Sequence, residues 1–164
     1  MLFRSVPWAG VRNEPTQRVI APQVDPTAPA AAPGSLSAAV SGIGSEAGSL
    51  ETEDCLNVTI FTPSLSSAAK RPVLFWCHGG GYFAGSGSAP MYEGARLAAM
   101  GVVVVNVTHR LNVLGYLHLP ESGPEFAASG NVGMQDIALA LKWTRENIER
   151  FGGDPKRVLI FGQS

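Results

Sequence analysis

A chain of 164 residues with 45% hydrophobic and 15% charged residues is ordinary for a globular protein and long enough for one domain with a core. Net charge is −1 with no basic run and no charge block, which argues against nucleic acid or an anionic membrane surface as a partner. The longest apolar run, residues 102–107, falls far short of the roughly 18 residues of a membrane-spanning helix, so no membrane span is expected.

The first 18 residues are irregular, broken by Pro7 and Pro15, with Trp8 as a packing anchor. Arg4, Pro7 and Trp8 leave no apolar core there, so this start is not a signal peptide. Between Val19 and Leu50 the charged residues are Asp25 and Glu46, among prolines and many Ala, Ser and Gly. Such a composition buries too little apolar surface to offset its ordering entropy, so residues 25–49 are expected to form a mobile loop within the domain.

Residues 57–62 are β-branched and aromatic, and Pro63 ends them, which predicts a strand. Residues 64–70 form a polar turn. Residues 72–77 are apolar throughout and predict a strand buried on both faces, leading straight into His78-Gly79-Gly80-Gly81-Tyr82. Residues 90–100 predict a helix, with Pro90 in its first turn and Gly101 past its end. The valine run 102–107 predicts the centre of a parallel sheet. A turn-rich connection, 108–120, follows. Residues 133–151 predict a helix whose buried face carries Ile137, Leu141, Thr144 and Ile148, with Lys142, Arg145, Glu146 and Glu149 on another face. Asp136 falls in its first turn, where a negative charge suits the helix dipole. Gly152, Gly153 and Pro155 stop it, and 158–161 form a last strand ending in Gly162-Gln163-Ser164. Strand–helix alternation of this kind predicts an α/β fold with a mostly parallel sheet.

An acyl-transfer site needs a nucleophile, a base, a group orienting the base and donors for the oxyanion. The chain offers two of these. Ser164 follows a short apolar strand through a glycine turn, the way one large hydrolase class exposes its nucleophile. Consecutive glycines after a buried strand, Gly79 to Gly81, let backbone N–H groups turn toward one point without Cβ obstruction. Taken alone, a triple glycine also fits a flexible turn, and Gly-x-Ser a polar turn. In that hydrolase class the base follows the nucleophile, whereas His78, His109 and His118 precede it. His78 is therefore assigned a structural role, holding the glycine loop, and the other two are read as loop histidines. Gln163 either lines the pocket or serves turn geometry. Arg110 and Asp136 are read as a structural ion pair. Cys55 and Cys77 are read as free thiols, with a single disulfide as the alternative.

Together these residues resemble the type B carboxylesterase/cholinesterase family of α/β-hydrolases. The matching stretches are Glu53 to Val58, His78 to Tyr82, Arg110 to Leu117, Gly130 to Gly133 with Asp136, Ala140 to Trp143, Asn147 with Ile148, Phe151 to Pro155, and Phe161 to Ser164. The resemblance implies a partial α/β-hydrolase fold, the central sheet cut after its nucleophile strand, over residues 1–164. It implies a serine carboxylic-ester hydrolase acting through an acyl-enzyme on a small-molecule ester. Ser164 would be the nucleophile and Gly80 and Gly81 the oxyanion donors, with Gly79, Tyr82 and Gln163 at the substrate. Arg110 and Asp136 would pair as they do in the family. No metal and no organic cofactor are implied.

The family's histidine and acid would lie after Ser164 and an initial strand-rich segment before Met1. The chain therefore reads as a piece of a longer protein, inactive by itself. Ala21-Pro22-Gln23 stands where the family often has a cysteine that pairs with the one here numbered Cys55, Asn112 replaces a usual glycine, and His109 a usual tyrosine. The unpartnered Cys55 removes one argument for secretion. Localisation stays open, with a slight lean to cytoplasmic, as do the oligomeric state and the ester. The alternative function is a cholinesterase-like binding or adhesion module without catalysis, against which a serine at 164 speaks.

Overall fold

The structure is a computed structural model that describes residues 19–23 and 49–164. The expected mobile loop, all but Ser49, and the irregular start with Trp8 lie outside the described residues. Two two-residue strands, β1 (Val19–Ile20) and β2 (Leu50–Glu51), pair in parallel. Among the described residues the main sheet has four strands: β3 (Asn57–Phe61), β4 (Arg71–Cys77), β5 (Val103–Thr108) and β6 (Gly153–Gly162). Their order is β3-β5-β4-β6. β4 runs parallel to both β5 and β6, and β3 is antiparallel to β5. Among the described residues the α-helices are α1 (Ala95–Ala99), α2 (Asn112–Tyr116) and α3 (Val132–Asn147).

β5 occupies an inner position of the sheet and all six of its residues are buried, as an unbroken valine run requires. Val103, Val105 and Val107 meet Val73 and Phe75 of β4 and Ile148, and together these form the core. Ile137, Ala140 and Leu141 of α3 pack on it, so the helix closes one face of the sheet. Each such side chain moved out of water contributes about 1.5–3 kcal/mol. On β4, Val73 and Phe75 are fully buried while Leu74 and Trp76, which alternate with them, are half-buried. The expectation of burial on both faces therefore fails for β4: its second face is only partly covered. At the far side of the sheet, Leu159 and Ile160 of β6 are 60% and 53% exposed.

Several elements depart from the sequence pattern for local reasons. The helix expected over 90–100 is split into a 3₁₀ turn, Pro90–Tyr92, and the short α1. Gly94 separates them, so close to the sheet that a Cβ there would lie 2.7 Å from the Phe61 ring. The turn-rich connection contains α2. The long helix begins at Val132, so Asp136 lies beyond its first turn and serves Arg110 rather than the helix dipole. Its last turn, Ile148–Phe151, is 3₁₀.

Gly152, at φ 79°, turns the chain back so tightly that a Cβ would meet the Ser64 carbonyl at 2.4 Å. Thr62 Oγ1 ties the same corner by donating to Phe151 O at 2.7 Å. β6 starts directly after it, earlier than expected, with Arg71 opposite Gly153. The pairing then jumps to Val73 opposite Val158, two steps along β4 against five along β6. Above that irregularity the register is unbroken to Cys77 opposite Gly162.

Candidate active site

Because β4 and β6 are parallel neighbours in register, the segments that follow them leave the sheet at the same end. Gln163 N–H donates to Cys77 O at 3.3 Å. Gly79 faces Gln163 so closely that a Cβ would lie 3.2 Å from its Cδ, Oε1 and O atoms. The glycine loop and the turn that carries Ser164 are therefore in contact, and Ser164 itself is exposed.

The loop has three consecutive left-handed residues: Gly80 at φ 116°, Gly81 at 60° and Tyr82 at 65°. At Gly80 a Cβ would lie 2.1 Å from Ala84 O, so only glycine fits. The Gly80 carbonyl accepts from the N–H groups of Phe83 and Ala84 at 3.0 and 3.2 Å. The Gly79 carbonyl accepts from His78 Nδ1 at 2.8 Å. These peptides are trans, and in a trans peptide N–H and C=O point oppositely. With both carbonyls held inward, the N–H groups of Gly80 and Gly81 point away from those anchors. Tyr82, 57% exposed, is a non-glycine residue held at positive φ, a conformation that costs of order 1–3 kcal/mol. Its carbonyl accepts from Asn112 N–H at 2.8 Å, and its ring lies 4.9 Å from that of Tyr116.

The histidines are spoken for. His78 and His109 are buried and stack on each other, ring centroids 4.8 Å apart. Burial pushes His78 down to about 4, and burial also lowers His109. Both rings are therefore neutral at pH 7. His118, on the connection after α2, lies against Gly130, where a Cβ would meet its Nδ1 at 2.9 Å.

Arg110 and Asp136 meet in a buried bidentate pair. Nε donates to Oδ2 at 2.8 Å and Nη2 to Oδ1 at 2.6 Å, and the Arg110 backbone N–H adds a third bond at 3.1 Å. The hydrogen bond to Asp136 holds the guanidinium above its usual value. Cys55 and Cys77 are both free, and burial raises the Cys55 thiol to about 11. Asn112 sits at φ 54°, a conformation that asparagine and glycine tolerate best. Its side-chain amide donates to Pro22 O and Phe83 O at 3.1 and 3.0 Å.

Two residues of this neighbourhood, Tyr92 and Gln23, carry no sequence motif. Tyr92 donates its hydroxyl to Gln163 Oε1 at 3.0 Å. Its carbonyl accepts from Asn106 Nδ2 at 2.8 Å, and its ring lies 5.1 Å from Trp76, itself 4.8 Å from Phe161. Gln23 exchanges two 3.0 Å bonds with the backbone of Gly85. An open cavity of about 750 Å³, walled by Tyr82, Phe83, Val113, Leu114, Tyr116 and Leu117 among others, touches Gly81 but neither Gln163 nor Ser164. Among the described residues no group of three or more His, Cys, Asp or Glu is placed to hold a metal, and no helix is long and apolar enough to cross a membrane.

The chain is similar in sequence and in fold to known esterases. The para-nitrobenzyl esterase of Bacillus subtilis is 50% identical over 115 residues, 70% of this chain and 23% of its own length. A solved esterase from Clostridium hathewayi, described as hydrolysing aliphatic aromatic polyesters, superposes with a TM-score of 0.68 at 51% identity, covering 70% of this chain and 23% of that one. The Geobacillus stearothermophilus carboxylesterase superposes with a TM-score of 0.67 at 48% identity, covering 68% and 24%. The chain thus spans about a quarter of the length of these relatives, and over that span its fold is that of the α/β-hydrolase carboxylesterases. The model of the carboxylesterase family matches residues 4–164, and the chain belongs to that family.

Proposed function

We propose that this chain supplies the nucleophile and the oxyanion donors of a serine carboxylic-ester hydrolase. Ser164 attacks the carbonyl of a small-molecule ester and becomes acylated. The N–H groups of Gly80 and Gly81 hold the developing oxyanion, where one such donor is worth about 2.7–4 kcal/mol in the transition state. Gly79 gives the loop room to approach Gln163, and Gln163 and Tyr82 border the ester. His78, Arg110 and Asp136 keep the loop and its neighbour in place without touching substrate. The observation that carries this reading is the parallel register that sets the glycine loop against Gln163.

The base for Ser164 is neither His78 nor His109, whose rings are buried and tied to main-chain carbonyls. In this hydrolase class it follows the nucleophile in the chain. The 164-residue polypeptide alone is accordingly expected not to turn over simple aryl esters, since a nucleophile without its partners loses nearly all of the triad's contribution. The test is fluorophosphonate labelling of the protein as it is made in its own cells. The adduct is expected on Ser164, in the tryptic peptide that begins at Val158. A protein folded and present but unlabelled would refute the enzyme reading and leave the binding module.

A further inference from the structure

The paired imidazoles of His78 and His109 have no part in the ester chemistry. They stand at the ends of neighbouring strands, with planes 19° from parallel and 7% and 3% of their surface exposed. Each Nδ1 lies at a main-chain carbonyl, Gly79 O at 2.8 Å and Arg110 O at 2.9 Å. A carbonyl only accepts, so each Nδ1 carries the ring proton and each Nε2 keeps its lone pair. Among the described residues His78 Nε2, which is buried, has no hydrogen-bond partner. The glycine loop closes on this ring from both ends. Its start is held through the Gly79 carbonyl, and at its end a Cβ on Gly85 would lie 2.7 Å from His78 Nδ1.

We propose that His109 is a positioning residue for the glycine loop, acting through its stack on His78, and that the two rings form a latch released by uptake of two protons. A proton added to His78 must go to Nε2, which creates a buried cation without an acceptor, facing a second imidazole. Among the described residues the surroundings offer no relief. Asp136, from α3, acts on His109 but is already engaged by Arg110, and it is not among the charges acting on His78. Cys55, beside Asp136, is kept a neutral thiol by burial, and Gln23, across Gly85, is uncharged. Both rings thus escape protonation only while the latch is closed.

The sign follows from linkage. The open loop returns both rings to the ordinary value of 6.5, while the closed latch holds His78 near 4 and His109 below its usual value. The latch is intact above 6.5 and loses stability as the pH falls from there toward about 4. Below 6.5 opening takes up protons at both rings, so its equilibrium constant rises by more than the roughly 10-fold per pH unit that one ring allows. Loss of one ring reduces the rise to about 10-fold per pH unit. Any catalytic consequence rests on the esterase reading, but the latch does not, because it is read without substrate.

The experiment is amide hydrogen exchange on the 164-residue chain between about pH 5.5 and about pH 4.5, corrected for intrinsic rates. The reporters are the bonded amides of Phe83, Ala84 and Asn112, with β5 amides as the global reference. The unmodified chain is expected to show the steep dependence at the loop but not in β5, and His109→Phe the shallow one. A loop slope near 10-fold in the unmodified chain, an unchanged slope in His109→Phe, or β5 opening in step with the loop would each overturn the proposal. Should His109→Phe not fold, ring NMR titration of the unmodified chain decides. A ring that titrates near the ordinary value while the loop amides stay protected refutes the latch.

Discussion

Replacing Asp136 by alanine tests how the site is supported from below. Among the described residues the carboxylate accepts three hydrogen bonds, all from Arg110, at 2.6, 2.8 and 3.1 Å. Arg110 is 6% exposed, so the variant strands a guanidinium away from water. Breaking a buried pair in this way costs about 3–5 kcal/mol. For a chain of this size that lowers the melting temperature by roughly 6–20 °C. The double variant Arg110→Met/Asp136→Leu removes both charges, and such replacements are often neutral. Here it still orphans the Arg110 backbone N–H, so it should remain about 1–3 kcal/mol below the unmodified chain and above the single variant. Urea titration of the three proteins measures this. A loss under about 1 kcal/mol in Asp136→Ala, or a double variant no better than the single, would refute the argument.

Gly80→Ala should cost more than about 3 kcal/mol, combining a glycine-only φ with a 2.1 Å overlap, whereas Gly79→Ala should cost about 1 kcal/mol or less. Equal urea midpoints for the two would contradict the loop geometry. The Cys55 thiol, raised to about 11 by burial, carries almost no thiolate at about pH 8, so iodoacetamide should modify Cys77 first and Cys55 only on unfolding, as peptide mass spectrometry will show. Leu159→Lys should reduce self-association of the 164-residue chain in sedimentation while changing stability by no more than about 0.5 kcal/mol, because the side chain stands exposed on an edge strand. A monomer at all concentrations before the substitution would count against it.

Periodicity and residue type made β3, β4, β5 and α3 legible. Asn57–Phe61 and Arg71–Cys77 fall within a residue of their expected ends, because Pro63 and the glycine run punctuate them. The Val19–Ile20 and Leu50–Glu51 pair was not legible: two residues carry no period, and Leu50 is 48% exposed. Nor was α2, whose five residues include a glycine. The start of β6 was hidden because Gly153, Asp154 and Pro155 carry turn signals although the strand already begins at Gly153, opposite Arg71. At the site, Ser164 and Gly79 to Gly81 announce themselves locally. Tyr92 does not, since its tie to Gln163 spans 71 positions and exists only through the β4–β6 register. The facing of His78 and His109 likewise depends on how β4 and β5 align.

The irregularity at the start of β6 has a mechanical consequence. Residues 154–157 are surplus length between the anchored Gly152 corner and the register that begins at Val73 opposite Val158. Lys156 N–H donates to Asp154 Oδ1 at 2.9 Å, so the surplus is folded into a small turn of its own. It works as an expansion joint. A residue inserted or deleted there changes the size of that turn and leaves the count from Val158 to Ser164 untouched. The same insertion between Val158 and Gly162 would slide Ser164 out of alignment with the glycine loop and turn the side chains of the strand onto opposite faces. A change of length is thus absorbed at the end of the sheet remote from Ser164, and alignment is guarded at the other.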